Sequence, residues 1–418
     1  MFTFLHAADI HLDSPLRGLE GYADAPVEQL RQATRRAFDN LIDLAIEERV
    51  AFILLAGDLY DGEWKDYNTG LFFIDRLSRL RKEKIRVFLI SGNHDAASQI
   101  TKALRLPDNV HLFSTKQPET VILEELGVAV HGQGYHTRAV AENLARHYPQ
   151  ALSHYLNIGL LHTSLTGRQG HEPYAPCSLD DLKARGYDYW ALGHVHQREE
   201  VDQSPWIVFP GNIQGRHIQE TGGKGATLVR VEEGRIVAVE HRDLDVLRWS
   251  LCRVDLTDCA TVDLAIDAVR QAMETEQAKA EGRPLAIRLQ LIGETPLHAE
   301  LHRDSATLTE EFRALAAGLG EMWLEKAVFA TRRPVALAES LGEETPLADL
   351  IRAIERLDFQ SETLLELVPE IGVLQSKLPP ELLHESGLIA ASPEWTSSLG
   401  EEVKEMLIAR LLGQGGSR

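Results

Sequence analysis

The sequence predicts an α/β protein whose central β-sheet is covered by helices on both faces, followed by a small α/β domain and a helical tail. In roughly the first 240 residues, continuous apolar runs alternate with amphipathic helical segments. Strands that are apolar throughout are typical of sheets buried on both faces. The chain has 418 residues, of which 44% are hydrophobic and 25% charged. That length corresponds to about two to three globular domains.

Seven apolar runs in the first part of the chain are predicted strands, at residues 3–8, 52–56, 87–90, 128–131, 158–161, 189–191 and 207–209. Apolar side chains at helical spacing predict helices over 27–48 and 68–82. Ligands of such sheets bind at the carboxyl ends of the strands. The polar residues that follow each run are therefore candidates for a functional site.

The pattern changes after about residue 245. Predicted strands at 249–256, 285–291 and 322–331 alternate with predicted helices at 261–279 and 308–319. We therefore divide the chain into a first domain of residues 1–245, a small α/β domain of residues 246–335 and a helical C-terminal region of residues 336–418. The last region holds 15 acidic and 6 basic residues, with leucine-rich segments at 346–357, 363–374 and 401–412.

Composition excludes several classes of protein. The formal net charge of −20 argues against a protein that coats nucleic acid by itself, because phosphate binding needs clustered Lys and Arg. No apolar run approaches the roughly 18 residues of a membrane span, and no secretory leader is visible. The three cysteines form no CxxC pair, which fits a reduced cytoplasmic setting.

Five short polar motifs follow apolar runs in one order: Asp9-Ile10-His11, Gly57-Asp58, Gly92-Asn93-His94-Asp95, His162, and Gly193-His194-Val195-His196. Their oxygen and imidazole donors suit Mn, Fe or Zn. Each motif alone has an ordinary explanation, since a Gly-Asp pair is a common turn and two histidines can be satisfied surface residues. Their joint occurrence predicts a metal site.

With the pattern DxH, GD, GNH(D/E), H and GHxH, the sequence resembles the calcineurin-like metallophosphoesterases. More narrowly, the segments LHAADIHLDSPLRGL, LLAGDLYD, SGNHD, LLHTS and ALGHVHQRE are similar to bacterial DNA-repair exonuclease subunits of the SbcD/YhaO type. The resemblance is dense over residues 1–240 and rests on domain order beyond them. It implies a four-layer metallophosphoesterase sandwich, in which central mixed β-sheets are flanked by helices, with a small α/β cap domain and a helical C-terminal tail.

The resemblance also implies roles for individual residues. It assigns one divalent cation to Asp9, His11 and His196 and a second to Asn93, His162 and His194, with Asp58 bridging both. It implies Mn²⁺ as the preferred ion, with Fe²⁺ and Zn²⁺ as alternatives. His94 would lie outside the coordination shell and face the scissile phosphate, with Asp95 holding its second ring nitrogen.

Two positions need separate comment. Some nuclease relatives have a histidine three positions after the bridging aspartate, but Asp61 stands there in this chain, so we assign it no role in positioning DNA. Arg216 and His217, which follow Pro210-Gly211-Asn212, are candidates for phosphate contact. A salt bridge within their loop is an equal alternative.

Three functions fit these features. The leading hypothesis is a two-metal DNA nuclease of DNA repair, a 3′–5′ exonuclease with endonuclease activity as a second possibility. It would work as a homodimer with an SMC-like coiled-coil ATPase bound to the C-terminal helices. The same motifs serve a small-molecule phosphatase or a cyclic-nucleotide phosphodiesterase, although about 170 residues beyond the catalytic domain are unnecessary for a small substrate. The third hypothesis is a mainly structural subunit of an ATPase complex, and the C-terminal helices could equally be a self-contained cap.

Overall fold

Two six-stranded β-sheets dominate the computed structural model of the chain. The structure describes residues 1–14, 16, 32–61, 67–97, 105–166, 174–333, 346–357, 400, 403–404, 406–408 and 411. The predicted helix start at 27–31 and the predicted leucine-rich segment at 363–374 lie outside the described residues.

The first sheet has the strand order β12-β11-β1-β2-β3-β4. Its strands are β1 (Phe2–Ala7), β2 (Phe52–Leu55), β3 (Arg86–Leu89), β4 (Val110–Leu112), β11 (Gly225–Glu232) and β12 (Arg235–Asp243). Strands β1 to β4 are parallel, whereas β11 pairs antiparallel with both β1 and β12.

The second sheet has the order β5-β6-β7-β8-β10-β9. Its strands are β5 (Glu119–Leu123), β6 (Val128–Gly132), β7 (Leu156–His162), β8 (Tyr189–Gly193), β9 (Glu199–Gln203) and β10 (Trp206–Phe209). Strands β6, β7, β8 and β10 are parallel, and the outer strands β5 and β9 are antiparallel to their neighbours. Both sheets are therefore mixed.

Helices cover the outer face of each sheet. Their bounds are α1 (Ala33–Glu47), α2 (Tyr67–Lys82), α3 (Asn93–Ala97), a 3₁₀ helix (Leu144–His147) and α4 (Leu179–Lys183). Helix α1 turns one apolar stripe inward, including Phe38 and Leu41. The short α4 is held by a capping box, in which Ser178 and Asp181 bond to each other's backbone N–H.

Three apolar clusters show how the layers stack. Successive side chains of a strand point to opposite faces of the sheet. In β2, Ile53 and Leu55 therefore pack in a cluster with α1, whereas Phe52 and Leu54 pack in a cluster with the second sheet. On its outer face, the second sheet places Trp190 in a third cluster with residues of the 3₁₀ helix and α4. The order of layers is helix, sheet, sheet, helix.

The predicted α/β sandwich of mixed sheets flanked by helices is thus confirmed. The apolar runs had indicated a single central sheet, and the structure has two, because strand periodicity does not report which strands pair. The seven predicted strands are present, and no end is shifted by more than two residues. Strands such as β9 and β12 are partly exposed and carry many charges, so they lack an apolar run.

A third sheet follows, with the order β13-β14-β15. It contains β13 (Arg248–Asp255), β14 (Leu285–Glu294) and β15 (Met322–Arg332), and the chain between them forms α5 (Val262–Lys279), α6 (His298–Arg303) and α7 (Ser305–Gly318). The chain divides into two compact units, one of residues 1–252, 273–289 and 315–326 and one of residues 253–272, 290–314 and 327–418. The domain boundaries expected from the sequence stay a prediction.

The described part of the C-terminal region contains helix α8 (Pro346–Glu355). Ile351 and Ile354 of this helix form a small apolar cluster with Ile408. Among the described residues, no helix combines the length and the apolar character needed to cross a membrane.

We expect Gly159→Ala to lower the stability of the protein. Gly159 in β7 lies beside Trp190 in β8, and a Cβ atom at this position would come within 2.4 Å of Trp190 Cε3. Trp190 is fully buried, so overpacking should cost about 1–3 kcal/mol. The measurement is the midpoint of thermal unfolding.

Gly318→Ala is the matched control. A Cβ atom on Gly318, the last residue of α7, would meet nothing within 4 Å. Its midpoint should stay unchanged or rise slightly. A Gly159→Ala variant that unfolds at the wild-type temperature would contradict this account of the packing between β7 and β8.

Candidate metal centre

The predicted metal ligands meet where the carboxyl ends of the two sheets converge. Asp9 follows β1, Asp58 follows β2 and Asn93 follows β3, all in the first sheet. His162 is the last residue of β7, and His194 comes directly after β8, both in the second sheet. The expected location at strand ends holds, but the site is shared between two sheets.

Direct backbone contacts join the loops from different strands. The N–H of Asp9 donates to the Gly57 carbonyl at 3.1 Å. The N–H of His194 donates to both carboxylate oxygens of Asp9, at 3.1 and 3.0 Å. A Cβ atom on Gly193 would lie 2.1 Å from the Ala56 carbonyl oxygen, and one on Gly92 would lie 2.2 Å from Asp58 Oδ1. Glycine is therefore required at both positions.

Four of the predicted ligands have left-handed backbone conformations. The φ angles are 50° at Asp9, 45° at His11, 53° at Asp58 and 98° at His194. Such conformations are unfavourable for residues with a Cβ atom and cluster at functional sites. Here they turn the chain sharply at each strand end, so that the side chains face one another.

The first cluster consists of Asp9, His11 and His196, whose ligand atoms all lie within 4.8 Å of one another. His11 Nε2 is 3.3 Å from His196 Nε2, and Asp9 Oδ1 is 3.9 Å from the same atom. Asp9 and His11 are buried, and the His196 side chain is 23% exposed. One carboxylate and two imidazoles thus face a common point.

The second cluster consists of Asp58, Asn93, His162 and His194. Ligand atoms of Asp58, His162 and His194 lie within 4.8 Å of one another. His162 Nε2 is 2.9 Å from Asn93 Oδ1 and 3.4 Å from Asp58 Oδ2. The other ring nitrogen, His162 Nδ1, is 2.8 Å from the Ala56 carbonyl oxygen. That contact favours a proton on Nδ1 and directs Nε2 into the cluster.

The donor set fits divalent cations. Carboxylate, carboxamide and imidazole groups are ligands for Mn, Fe and Zn, and sulfur ligands are absent from both clusters. Several donors from different strands point inward and are buried together. Buried groups of this kind are stable only when paired or when they coordinate a metal. These clusters could therefore hold two ions, as the sequence predicts.

The electrostatics of the second cluster favour positive charge. Burial opposes protonation of His162, but the charge and hydrogen bond of Asp58 outweigh it and raise the pKa of His162 to about 9. Burial also opposes ionisation of Asp58, yet His162 and His94 hold the pKa of that carboxyl well below its usual range. A site that stabilises an imidazolium this strongly also attracts a metal cation.

His94 lies beside these two clusters and forms a third group with His11 and Asp61, whose ligand atoms also lie within 4.8 Å of one another. Its ring is 5.0 Å from that of His11, and its backbone N–H donates to Asp58 Oδ1 at 3.0 Å. Its Nδ1 is 3.1 Å from Asp61 Oδ1. Burial lowers the pKa of His94, but the hydrogen bond that its ring donates to Asp61 and the nearby carboxylate charges raise it overall.

The prediction that Asp95 holds His94 is wrong. The Asp95 carboxylate accepts backbone N–H groups instead, from Leu59 at 2.9 Å, Tyr60 at 3.2 Å and Gly92 at 2.9 Å. It ties the loop after β2 to the loop after β3, and burial raises its pKa to about 6. Asp95 follows His94 in the sequence, but its carboxylate does not reach the His94 ring, because α3 begins here and directs the two side chains apart.

Arg216 forms an ion pair with a residue of its own loop. Arg216 Nη2 is 3.2 Å from Glu220 Oε1, and Nη1 is 3.9 Å from Asp61 Oδ2. His217 Nε2 is 3.4 Å from Glu220 Oε1. The structure therefore shows the loop salt bridge that the sequence left as an alternative, and phosphate contact by Arg216 and His217 stays a prediction.

Sequence reasoning missed two carboxylates of this site. Asp61 touches His94, and its Oδ2 accepts a hydrogen bond from Ser14 Oγ at 2.8 Å. Glu220 Oε1 is 2.7 Å from His196 Nδ1. Asp61 stood out as a departure from the nuclease relatives, and that signal could have identified it. Glu220 lies 24 residues from His196, and no local pattern connects the two.

Comparison with known proteins places this site in a family. Residues 2–198 match the calcineurin-like phosphoesterase family, and residues 249–332 match the middle domain of metallophosphoesterase YhaO. The chain is 38% identical over 317 residues to the uncharacterized metallophosphoesterase YhaO of Bacillus subtilis, covering 75% of this chain and 77% of that protein.

Two further relatives are named DNA double-strand break repair protein Mre11. The protein of Sulfurisphaera tokodaii is 29% identical over 301 residues, covering 67% of this chain and 71% of the relative. That of Methanopyrus kandleri is 22% identical over 426 residues, covering 93% and 86%. From the fold, the donor clusters and these alignments, we conclude that the chain belongs to the calcineurin-like metallophosphoesterases, in the YhaO family, and is related to the Mre11 proteins.

Proposed function

We propose that this chain is a two-metal DNA nuclease that hydrolyses phosphodiester bonds in DNA repair, from 3′ ends, with Mn²⁺ preferred over Fe²⁺ or Zn²⁺. The observation that carries the proposal is the pair of adjacent donor clusters with His94 beside them. The first cluster would hold one ion and Asn93, His162 and His194 the other, with Asp58 shared. When bound, two such cations would stabilise charge on the phosphoryl oxygens and acidify an attacking water.

The protein's own groups would complete the reaction. His94 is held through Nδ1 by Asp61, so Nε2 is the nitrogen that can face a phosphodiester. The Asp61 carboxylate beside Nδ1 favours the protonated ring, which can donate a proton to the leaving oxygen. The Asp58 carboxylate also fixes the position of His94, because it accepts that residue's backbone N–H.

The choice of DNA rests on relatives and not on charge. Two relatives are named as DNA double-strand break repair proteins. With a net charge of −20, the chain offers DNA no overall electrostatic attraction. Two bound cations would offset the negative charge at the site itself. DNA binding should therefore depend on the divalent metal.

The direct test is degradation of an end-labelled linear duplex by the full-length protein with Mn²⁺. We expect wild-type protein to shorten the duplex from its 3′ ends and EDTA to stop the reaction. His94→Ala should reduce the rate by about 10²–10⁴-fold, the usual contribution of a proton-transferring residue. His147→Ala is the control, since that side chain is 51% exposed on the outer helical layer.

Other outcomes would identify the competing functions. Hydrolysis of bis-p-nitrophenyl phosphate or cyclic nucleotides without any cutting of DNA would contradict the nuclease proposal and support a small-molecule phosphodiesterase. No hydrolysis of any of these with Mn²⁺, Fe²⁺ or Zn²⁺ would support a mainly structural role.

We expect Asp61→Asn to lower kcat for the labelled DNA duplex by about 10–100-fold with little change in KM, as for other outer-shell partners. Removing the Asp61 charge lowers the pKa of His94, because the carboxylate stabilises the protonated ring. The alkaline limb of the pH–rate profile, where His94 loses its proton, should therefore move to lower pH.

Asp267→Asn makes the same chemical change at an exposed position of α5 and should leave both rate and profile unchanged. If Asp61→Asn lowers the rate but leaves the alkaline limb in place, Asp61 does not act through His94.

We also propose that the chain acts in the cytoplasm as a homodimer and binds an SMC-like coiled-coil ATPase through its C-terminal helices. Support comes from apolar side chains that remain exposed there, with Leu350 and Leu357 each 45% and Met406 47% exposed. Exposed apolar side chains on and beside a helix in an acidic region suit a groove or coiled-coil partner. The packing of Ile351 and Ile354 on Ile408 shows that another face of this helix is already covered.

Replacing Leu350 and Leu357 with serine should abolish co-purification with a co-expressed SMC-like coiled-coil ATPase. Hydrolysis of bis-p-nitrophenyl phosphate should remain at the wild-type rate, because both residues lie far along the chain from the site. Val237→Ser, at a 52% exposed position of β12, is the matched control. Undiminished co-purification of the double variant would contradict the assignment of these exposed leucines to the partner surface.

A further inference from the structure

Glu220 is a buried carboxylate that sits behind the first cluster. It is 4% exposed and lies in the segment that connects β10 to β11. Its Oε2 accepts hydrogen bonds from the Asn212 side chain at 2.9 Å and from the Arg216 backbone N–H at 2.7 Å. Its Oε1 is 2.7 Å from His196 Nδ1 and 3.2 Å from Arg216 Nη2. One carboxylate thus joins a predicted metal ligand to its supporting loop.

The contact with Glu220 determines how His196 is presented. A carboxylate 2.7 Å from Nδ1 requires a proton on that nitrogen, which leaves the Nε2 lone pair available as a ligand. Nε2 is the atom that lies 3.3 Å from His11 Nε2 and 3.9 Å from Asp9 Oδ1. The negative charge behind the ring also makes the imidazole a stronger electron donor.

The same segment holds the backbone of His196. The His196 carbonyl accepts hydrogen bonds from Lys224 Nζ at 3.0 Å and from the Asn212 backbone N–H at 3.3 Å. Lys224 is only 3% exposed, so this contact is protected from water. Both the ring and the main chain of His196 therefore depend on residues 212–224.

The second cluster is supported differently. His162 Nδ1 faces the main-chain carbonyl of Ala56, which is a neutral acceptor at a strand end. A neutral carbonyl orients an imidazole but raises its basicity less than a carboxylate does. The two clusters thus differ in the charge placed behind one histidine ligand.

From this geometry we infer that Glu220 is a positioning residue for His196 and sets the cation affinity of the first cluster separately from that of the second. The inference rests on the proposed two-metal site and adds a residue that acts on only one of the two ions. Arg216 belongs to the same arrangement, because its guanidinium neutralises Glu220 and allows the carboxylate to stay buried.

The test is titration of metal-free full-length protein with Mn²⁺ by isothermal calorimetry, which reads affinity without any turnover. Wild-type protein should show two sites. Glu220→Gln should weaken one of them by about 10–100-fold and leave the other unchanged. Glu220→Asp keeps the charge but moves it away from His196 by one methylene group, and it should weaken the same site. This variant replaces Glu220→Gln in the test if the Gln variant does not fold.

Glu274→Gln is the matched control, because it makes the same chemical change at an exposed position of α5. It should leave both Mn²⁺ affinities at wild-type values.

Three results would overturn the inference. Folded Glu220→Gln protein with wild-type affinity at both sites would show that the carboxylate does not act on the metal. Equal weakening of both sites by Glu220→Gln would show a general structural role. Wild-type protein that binds no Mn²⁺ would overturn the two-metal function and this inference together. The first two results, in contrast, would overturn this inference alone.

Discussion

A cluster of carboxylates and imidazoles is buried at the edge of the two packed β-sheets, and the rest of the structure depends on keeping this cluster stable. Isolated buried charges are unstable, so each of these groups needs an opposite charge, a hydrogen bond or a metal ion. The loops supply main-chain hydrogen-bond donors to these groups. The His194 N–H donates to Asp9, and three backbone N–H groups donate to Asp95. The left-handed backbone at Asp9 and Asp58 and the glycines at 92 and 193 follow from the same requirement, because the loops must approach closely.

The sandwich makes such a cluster possible. Parallel strands β1 to β3 and β7 to β8 end at the same side of the molecule, so short loops from two sheets can share a site. The core between the sheets, with Phe4, Phe52 and Phe88, fixes the distance between the two strand edges. The geometry of the donor clusters is therefore set by sheet packing, and a substitution in that core should affect the site even without touching it.

The sequence alone identified most of the residues that gather at this site, but it identified few of the residues that support them. Asp9, Asp58, Asn93 and His162 were identifiable because each motif follows an apolar run, and strand ends of such sheets are where ligands bind. Whether the runs belonged to one sheet or two depended on strand pairing, which periodicity does not encode. Asp95 was misassigned because adjacency in sequence does not give side-chain direction at a helix start. Asp61 and Glu220 act across 33 and 24 residues, and only the folded chain brings them to His94 and His196.

The most direct test of the central claim is anomalous diffraction at the manganese edge from crystals of the full-length protein grown with Mn²⁺. This account predicts two peaks, one coordinated by Asp9, His11 and His196 and one by Asn93, His162 and His194, with Asp58 bound to both. His94 should lie outside both coordination shells, with its Nδ1 on Asp61. A single peak, or ions bound away from these residues, would contradict the two-metal centre.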